Sequence, residues 1–406
     1  MRKLLGTAAL LIAGIALWAQ GETSILTSDD PAIRYIETPT SDPAELLNRK
    51  LATGEVKLEY SKDGTGYLAS LLAALGVNRD SQMLVFSKTS FQATRISPRA
   101  PRAIYFNDNA TVGFVQGSEV LELASLDPKQ GYVFYTFDNT KSDHPVFDRR
   151  DVCLQCHHGP ATAGVPGIMI ASVYPDSSGM PFARLGMPAT DHRTRFTERW
   201  GGWYVTGTHG GQHHRGNAVA RDRLAPDVLE ARDTQNLTDL SKKFDTAPYL
   251  EKTSDIVALL TLEHQARMTN LFTRLGWEER MNGAASPATL EAAVRYMLFL
   301  DEARLMDKVQ GNSTFQQTFP QRGPRDAHDR SLRDFDLQTR LFRYPLSYMI
   351  YSEVFDELPE TIRDRIYARL LEAMTEKFTP VARREIVQIV AGTKPTVPDF
   401  WLAAAR

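Results

Sequence analysis

Ala103-Ile104-Tyr105-Phe106, Thr111-Val112-Gly113-Phe114-Val115, Val120-Leu121-Glu122-Leu123 and Tyr132-Val133-Phe134-Tyr135-Thr136-Phe137 follow one another in close succession. β-Branched and aromatic side chains dominate each run, and Asn107, Asp108 and Asn109 separate the first two. Such side chains suit a pleated, half-buried surface, while Asn, Asp and Gly supply tight reversals. The reading is an antiparallel meander over about 103–138. Ahead of it, Gly66 to Leu75 reads as a short apolar helix, with Gly76 placed as its C-terminal stop. Residues 22–45 are polar and punctuated by Pro31, Pro39 and Pro43, an irregular lead-in.

After the meander, residues 139–220 are rich in Gly, His and Pro, with only short strand signals at Ile168 to Tyr174 and Trp203 to Thr206. From about residue 224 the pattern turns helical. Ser254 to Leu275 is one long candidate. Ser286-Pro287 opens another, Ser as N-cap and Pro at the first helical position, running to about Met306. Leu346 to Leu358 and Glu360 to Thr375 are further amphipathic stretches, and Pro380 to Ala391 is a last helix with Gly392 as its stop. Tyr344, Tyr348 and Tyr351 share a helical face and read as core. The fold class is therefore α+β: an antiparallel meander and loop-rich region, then an all-helical domain. The weakly periodic stretch 221–250 holds the boundary, giving domains at 22–225 and 226–406.

The loop-rich region contains Cys153-Leu154-Gln155-Cys156-His157, with the only 2 cysteines of the chain. Two thiols three residues apart with a histidine directly after are the attachment pattern of a c-type haem. Each thiol adds across a vinyl group as a thioether, and the adjoining imidazole reaches the iron. A zinc site would need further ligands, and no other cysteine exists. A thioredoxin-type CxxC belongs in a βαβ unit, which the pattern does not contain.

The N-terminus agrees with export. Met1-Arg2-Lys3 is a positive start, Leu4 to Trp18 is apolar and uncharged, and Ala19-Gln20-Gly21 offers small residues at a cleavage site. Residues 1–21 read as a secretory signal peptide, short for a membrane span of about 20 residues. Thioether bonds to haem are made outside the bacterial cytoplasmic membrane, so the expected location is periplasmic or otherwise exported. A net charge of −2 over 406 residues argues against a nucleic-acid partner. No segment after the signal is apolar for long enough to span a membrane. Nucleotide-loop, HExxH and GxSxG motifs are missing from the sequence, so hydrolase readings have no support.

The group opposite the iron decides between carrier and catalyst. Gly179-Met180-Pro181 and Gly186-Met187-Pro188 each set a methionine in a Gly-bounded loop. His264 stands in register with Val257, Leu260, Met268, Leu271 and Leu275, so it points with an apolar face. His209, His213 and His214 cluster among glycines, with Trp200, Trp203 and Tyr204 upstream as surfaces for a flat ligand. These histidines could be distal ligand, acid–base group, second metal site or surface loop. His158 is expected to bond a propionate or solvent. Arg149, Arg150, Arg193 and Arg195 are propionate partners or solvated cations.

Through Cys153, Cys156 and His157 the chain resembles the c-type cytochromes, and Met180 and Met187 resemble the Met–Pro loops of many small members. The resemblance covers only these segments. It implies one covalent haem c, electron transfer and a redox partner protein. The chain is far longer than a small cytochrome c and is closer in plan to exported monohaem cytochromes with large appended domains. A single CxxCH departs from di-haem peroxidases and puts their mechanism in doubt. The alternatives are a haem enzyme acting on a small oxidant such as peroxide or a nitrogen oxide, with the 208–217 histidines at its distal face, and a haem-based sensor or partner-binding protein. Acid–acetone extraction tests the shared premise. Haem should stay with the wild-type polypeptide and be lost or weakly held in Cys153→Ala and Cys156→Ala; haem released from the wild type would remove the c-type assignment.

Overall fold

The computed structural model describes residues 24–230 and 232–406. The signal peptide expected at 1–21 lies outside the described residues. The fold is an α+β mix, with an antiparallel sheet built on the expected meander and most helices in the C-terminal half. The meander comprises β2 (Arg102–Phe106), β3 (Ala110–Val115), β4 (Val120–Asp127) and β5 (Gly131–Asp138). Three short strands extend it: β1 (Met83–Val85), β6 (Phe147–Arg149) and β9 (Trp203–Tyr204). The 7-stranded order is β6-β5-β4-β3-β2-β1-β9. Leu84 pairs with Ala103 on one side and Tyr204 on the other, so β1 ties the meander to a strand far along the chain. Strands this short carry too few residues for an alternation to show. A separate pair, β7 (Ile170–Ala171) and β8 (Ala189–Thr190), lies in the loop-rich region.

Both faces of the sheet are covered. One face presents Leu84, Tyr105, Phe114, Leu123, Val133 and Phe137 to α1 (Pro43–Thr53) and α2 (Leu68–Ala74). Leu240, Phe244 and Tyr249, from the weakly periodic 221–250 stretch, pack on the same face. The other face presents Val85, Ile104, Phe106, Ala124, Leu126, Tyr132 and Phe134 to the helices. Residues on either side of position 225 thus contribute to shared apolar clusters.

The central helix is α4 (Ile256–Asn282), longer at its C-terminus than the expected Ser254 to Leu275. Asp255 caps its start, and Gly283, in the left-handed region at φ 71, ends it. Nearly every residue of α4 is buried, its polar ones included, so apolar periodicity under-reads it. Helix α5 (Pro287–Met297) begins at the Ser286 cap as expected but stops well short of Met306, with Phe299 turning to φ 53. Leu346 to Leu358 is not one helix. Ser347 and Ser352 accept from the backbone N–H groups of Met349 and Phe355, dividing it into a 3-10 turn at Tyr348–Tyr351 and α7 (Glu353–Asp356). Tyr344, Tyr348 and Tyr351 therefore share no continuous helix, although Tyr344 and Tyr348 are core residues. Between α5 and α7 only α6 (Phe315–Gln321) is regular, so long irregular stretches interrupt the helices. The remaining helices are α8 (Glu360–Lys377), α9 (Pro380–Thr393) and α10 (Asp399–Ala405). Gly392 lies inside α9 rather than stopping it. No described helix is long and apolar enough to cross a membrane.

Asp255 joins two parts of the fold. One carboxylate oxygen accepts from Val257 N at 2.8 Å and Ala258 N at 3.2 Å. The other accepts from Asn312 N at 3.0 Å, Ser313 N at 2.9 Å and Ser313 Oγ at 2.8 Å. Asp255→Ala removes a cap and strands buried donors, and should cost about 3 kcal/mol. Urea unfolding measures this; a change within experimental error would show that the 311–313 loop rearranges freely.

Candidate functional site

The Cys153–His157 segment follows directly on β6, the strand paired with β5. Arg150 N donates to Phe134 O at 2.8 Å, and Cys153 N to Arg150 O at 3.2 Å. A 3-10 turn at Asp151–Cys153 then runs into α3 (Leu154–His157). On a helical turn, positions i, i+3 and i+4 lie on one side. Cys153, Cys156 and His157 occupy those positions, so both thiols and the imidazole share a face. Both cysteines are free thiols, Cys153 half-buried and Cys156 exposed. Burial pushes the Cys153 thiol above its ordinary value, and the Glu122 charge pushes the same way.

The orientation of His157 is set by Gly167. Its Nδ1 lies 2.9 Å from Gly167 O. A carbonyl only accepts, so Nδ1 carries the proton and Nε2 keeps its lone pair. That nitrogen has no hydrogen-bond partner among the described residues. The Phe134 ring packs on the imidazole at 4.7 Å between centroids. Burial lowers the His157 pKa and so favours the neutral ring, and the Gly167 bond opposes that shift only in part. A neutral imidazole with one nitrogen tied to a carbonyl and the other free has the chemistry to coordinate a metal.

Gly167 is itself held from α4. Asn270 Nδ2 donates to Ile168 O at 2.9 Å, and Gly167 N donates back to His157 O at 2.8 Å. A Cβ at Gly167 would fall 2.2 Å from Asn270 Oδ1, so only glycine allows this approach. Arg274 braces the same loop through Ala163 O and reaches Ser24 O, each at 2.7 Å. His158 does not serve a propionate: its Nε2 donates to Leu26 O at 2.9 Å and Gly164 O at 3.2 Å, joining the N-terminal segment to the loop. Arg149 is taken up by Tyr35 O and Asp151, Arg150 by Thr136 Oγ1, and Arg193 by Asp191; Arg195 is exposed.

The distal candidates separate by whether a donor atom is free. Met180 and Met187 are 50% and 59% exposed, so neither is core filler. Met187 lies just outside β8, whose partner β7 starts three residues after Gly167. His264 is fully buried, and both ring nitrogens are engaged: Nδ1 with His192 Nδ1 at 2.9 Å and Nε2 with Ser347 Oγ at 2.7 Å. His209 is also buried and doubly engaged, Nδ1 with Gln212 O at 2.8 Å and Nε2 accepting from Asn236 N at 3.0 Å. His214 packs between Trp200 and His209, with both ring nitrogens buried and unpartnered in the described structure. Only His213 of the cluster is exposed. Trp200, Trp203 and Tyr204 are buried in the core rather than offered to a flat ligand. No group of three or more His, Cys, Asp or Glu suited to a metal ion occurs among the described residues, so nothing marks the cluster as a second metal site.

Gly167, Asn270, Phe134 and His192 had no sequence signal, since each acts through a partner distant along the chain. No protein-family model, curated protein or solved structure matches the chain.

Burial drives His264 from 6.5 to about 3, and His192 and His214 well below their ordinary value. A histidine depressed in the fold takes up its proton first in the unfolded chain. Its contribution is complete above pH 6.5 and is lost as pH falls from there toward about 3. Stability measured between pH 7 and pH 4 should therefore fall less steeply in His264→Gln than in the wild type, by up to about one proton in the linkage slope. Equal slopes would mean that His264 is protonated in the native state.

Proposed function

We propose that this chain is an exported c-type cytochrome that transfers electrons through one haem c, bound by thioethers from Cys153 and Cys156 and ligated by His157. The carrying observation is the His157 Nδ1–Gly167 O bond, on a turn that puts both thiols and the imidazole on one side. The residues fit the group. The free thiols supply its two attachment points, and the neutral His157 ring supplies an unprotonated nitrogen. Arg102 Nε, buried without a partner, is a donor left for an acceptor on a bound molecule. When bound, haem iron supplies a ferric–ferrous couple. The protein's part is to hold the imidazole rigidly, so that little rearranges on electron transfer. Gly167 does this directly, with Asn270 and Arg274 bracing its loop.

Electron carrying is favoured over small-oxidant chemistry by the state of His209 and His264; His214, whose ring nitrogens are unpartnered, is packed away against Trp200 and His209, and only His213 is exposed. A distal acid–base group needs a free ring nitrogen facing the reaction. His209 and His264 spend both nitrogens on structural bonds, while the exposed Met180 and Met187 thioethers remain as sixth ligands. Exposed Cys156 and Val152, the latter 63% accessible, mark an edge where a redox partner protein can approach. Export rests on the signal pattern of residues 1–21.

Absorption spectra with and without CO test this reading. The wild type should be low-spin in both oxidation states and indifferent to CO, and either Met187→Ala or Met180→Ala should convert the ferrous form to a high-spin, CO-binding species. His264→Gln and His209→Gln should leave the spectrum unmoved. A wild type that binds CO at once would displace the carrier reading in favour of a sensor or enzyme.

A further inference from the structure

Beside the Cys153–His157 turn, the helix-facing side of the sheet carries a charged pair where the rest is apolar. Arg102 on β2 and Glu122 on β4 sit on the same side as Ile104, Ala124 and Phe134. They meet across β3 at Gly113, which pairs with Glu122 in register. Arg102 Nη1 donates to Glu122 Oε2 at 2.5 Å. A Cβ at Gly113 would lie 3.3 Å from Glu122 Cβ and 3.4 Å from Oε2, so a glycine keeps the crossing open. The other oxygen accepts from Ser90 Oγ at 2.7 Å and Gln92 Nε2 at 2.8 Å. The two side chains are only 18% and 17% exposed.

The strand register places this pair at the site. Glu122 stands opposite Thr136, two residues from Phe134, whose ring packs on His157. Thr136 Oγ1 in turn accepts from Arg150 Nε, at the entry to the turn. Stability is a weak account of such a pair, because desolvating two charges offsets most of their attraction and apolar residues of similar volume hold a core as well.

We propose that Arg102 and Glu122 are positioning residues for the redox couple: two fixed, opposite charges beside the proximal histidine that set the reduction potential of a haem attached at Cys153 and Cys156. This rests on the haem reading above. Oxidation of the iron leaves one more positive charge at the site. The Glu122 carboxylate favours that state and the Arg102 guanidinium opposes it. Held together, they nearly cancel, and loss of either exposes the other in surroundings that screen it poorly.

The test uses the full-length holoprotein. Acid–acetone extraction and the pyridine haemochrome first establish covalent haem in the wild type; its absence would overturn the haem reading, and this inference with it. Midpoint potentials are then taken by spectroelectrochemical titration for the wild type, E122Q, R102Q, R102K and the double variant E122Q/R102Q. Expected are a rise for E122Q, a fall for R102Q, and a double variant returned close to the wild type. R102K, which keeps the charge, should stay close to the wild type. Unmoved potentials in variants with normal spectra would overturn the proposal. Shifts of the two single variants in the same direction would do so as well, since they would report loosened packing rather than charge. Should R102Q fail to retain haem, E122Q against R102K still decides: a rise in the first with no shift in the second supports the proposal, and equal shifts refute it.

Discussion

Burial of α4 with its polar side chains intact is the constraint on which the rest of the structure depends. A buried charge or amide without a partner costs several kcal/mol, and the charged and amide side chains on this helix find partners. Glu263 binds Arg199 at 2.9 Å, and Arg274 binds Glu278 at 2.7 Å. Gln265 donates to Asn107 O at 2.7 Å and accepts from Tyr348 Oη at 2.9 Å. His264 binds His192 and Ser347, and Asn270 binds Ile168 O. The partners come from the N-terminal segment, the meander turn, the loop region and the C-terminal half. One helix thereby ties together regions with little regular structure of their own.

The site inherits its rigidity from this arrangement. Between Gly159 and Gly201 regular structure is sparse, yet the segment carrying Gly167 is braced at Ala163 and Ile168 from a single helix face. His157 is oriented by a main-chain carbonyl, which has fewer alternative positions than a side chain would. The charged pair at Arg102 and Glu122 is equally fixed, because strand register sets its place relative to Phe134. Imidazole, thiols and nearby charges are thus referred to one framework of sheet and central helix.

Legibility followed the range of the interactions. The meander was readable because strand chemistry repeats locally; its outer bounds fall within a residue of the expected ones, although β4 runs on past Leu123 to Asp127. The start of α5 was readable from the Ser286 cap and that of α4 from periodicity, whereas the Asp255 cap emerged only in the fold. The division of 346–358 was not, because Ser347 and Ser352 act as caps only once the chain has turned there. Gly392 misled because a glycine near a helix end reads as a stop, whereas α9 continues to Thr393. The periodicity around His264 correctly implied burial, but burial alone does not say what a ring nitrogen binds. Clustering of His209, His213 and His214 likewise carried no information about Gln212 O and Asn236 N, the groups that occupy His209.

By itself the sequence determined the local chemistry of this protein: the β-meander, the Ser286-capped helix, and two thiols three residues apart with an imidazole directly after. Those features depend on residues within a few positions of one another, where propensity and spacing act directly. Only the tertiary structure decided that His157 presents Nε2, that His264 and His209 are occupied, that Met180 and Met187 are exposed, and that a charged pair stands beside the site. Each of these depends on contacts between segments far apart in sequence, where the cost of leaving a buried polar group unpaired selects the partner and no local pattern records the choice.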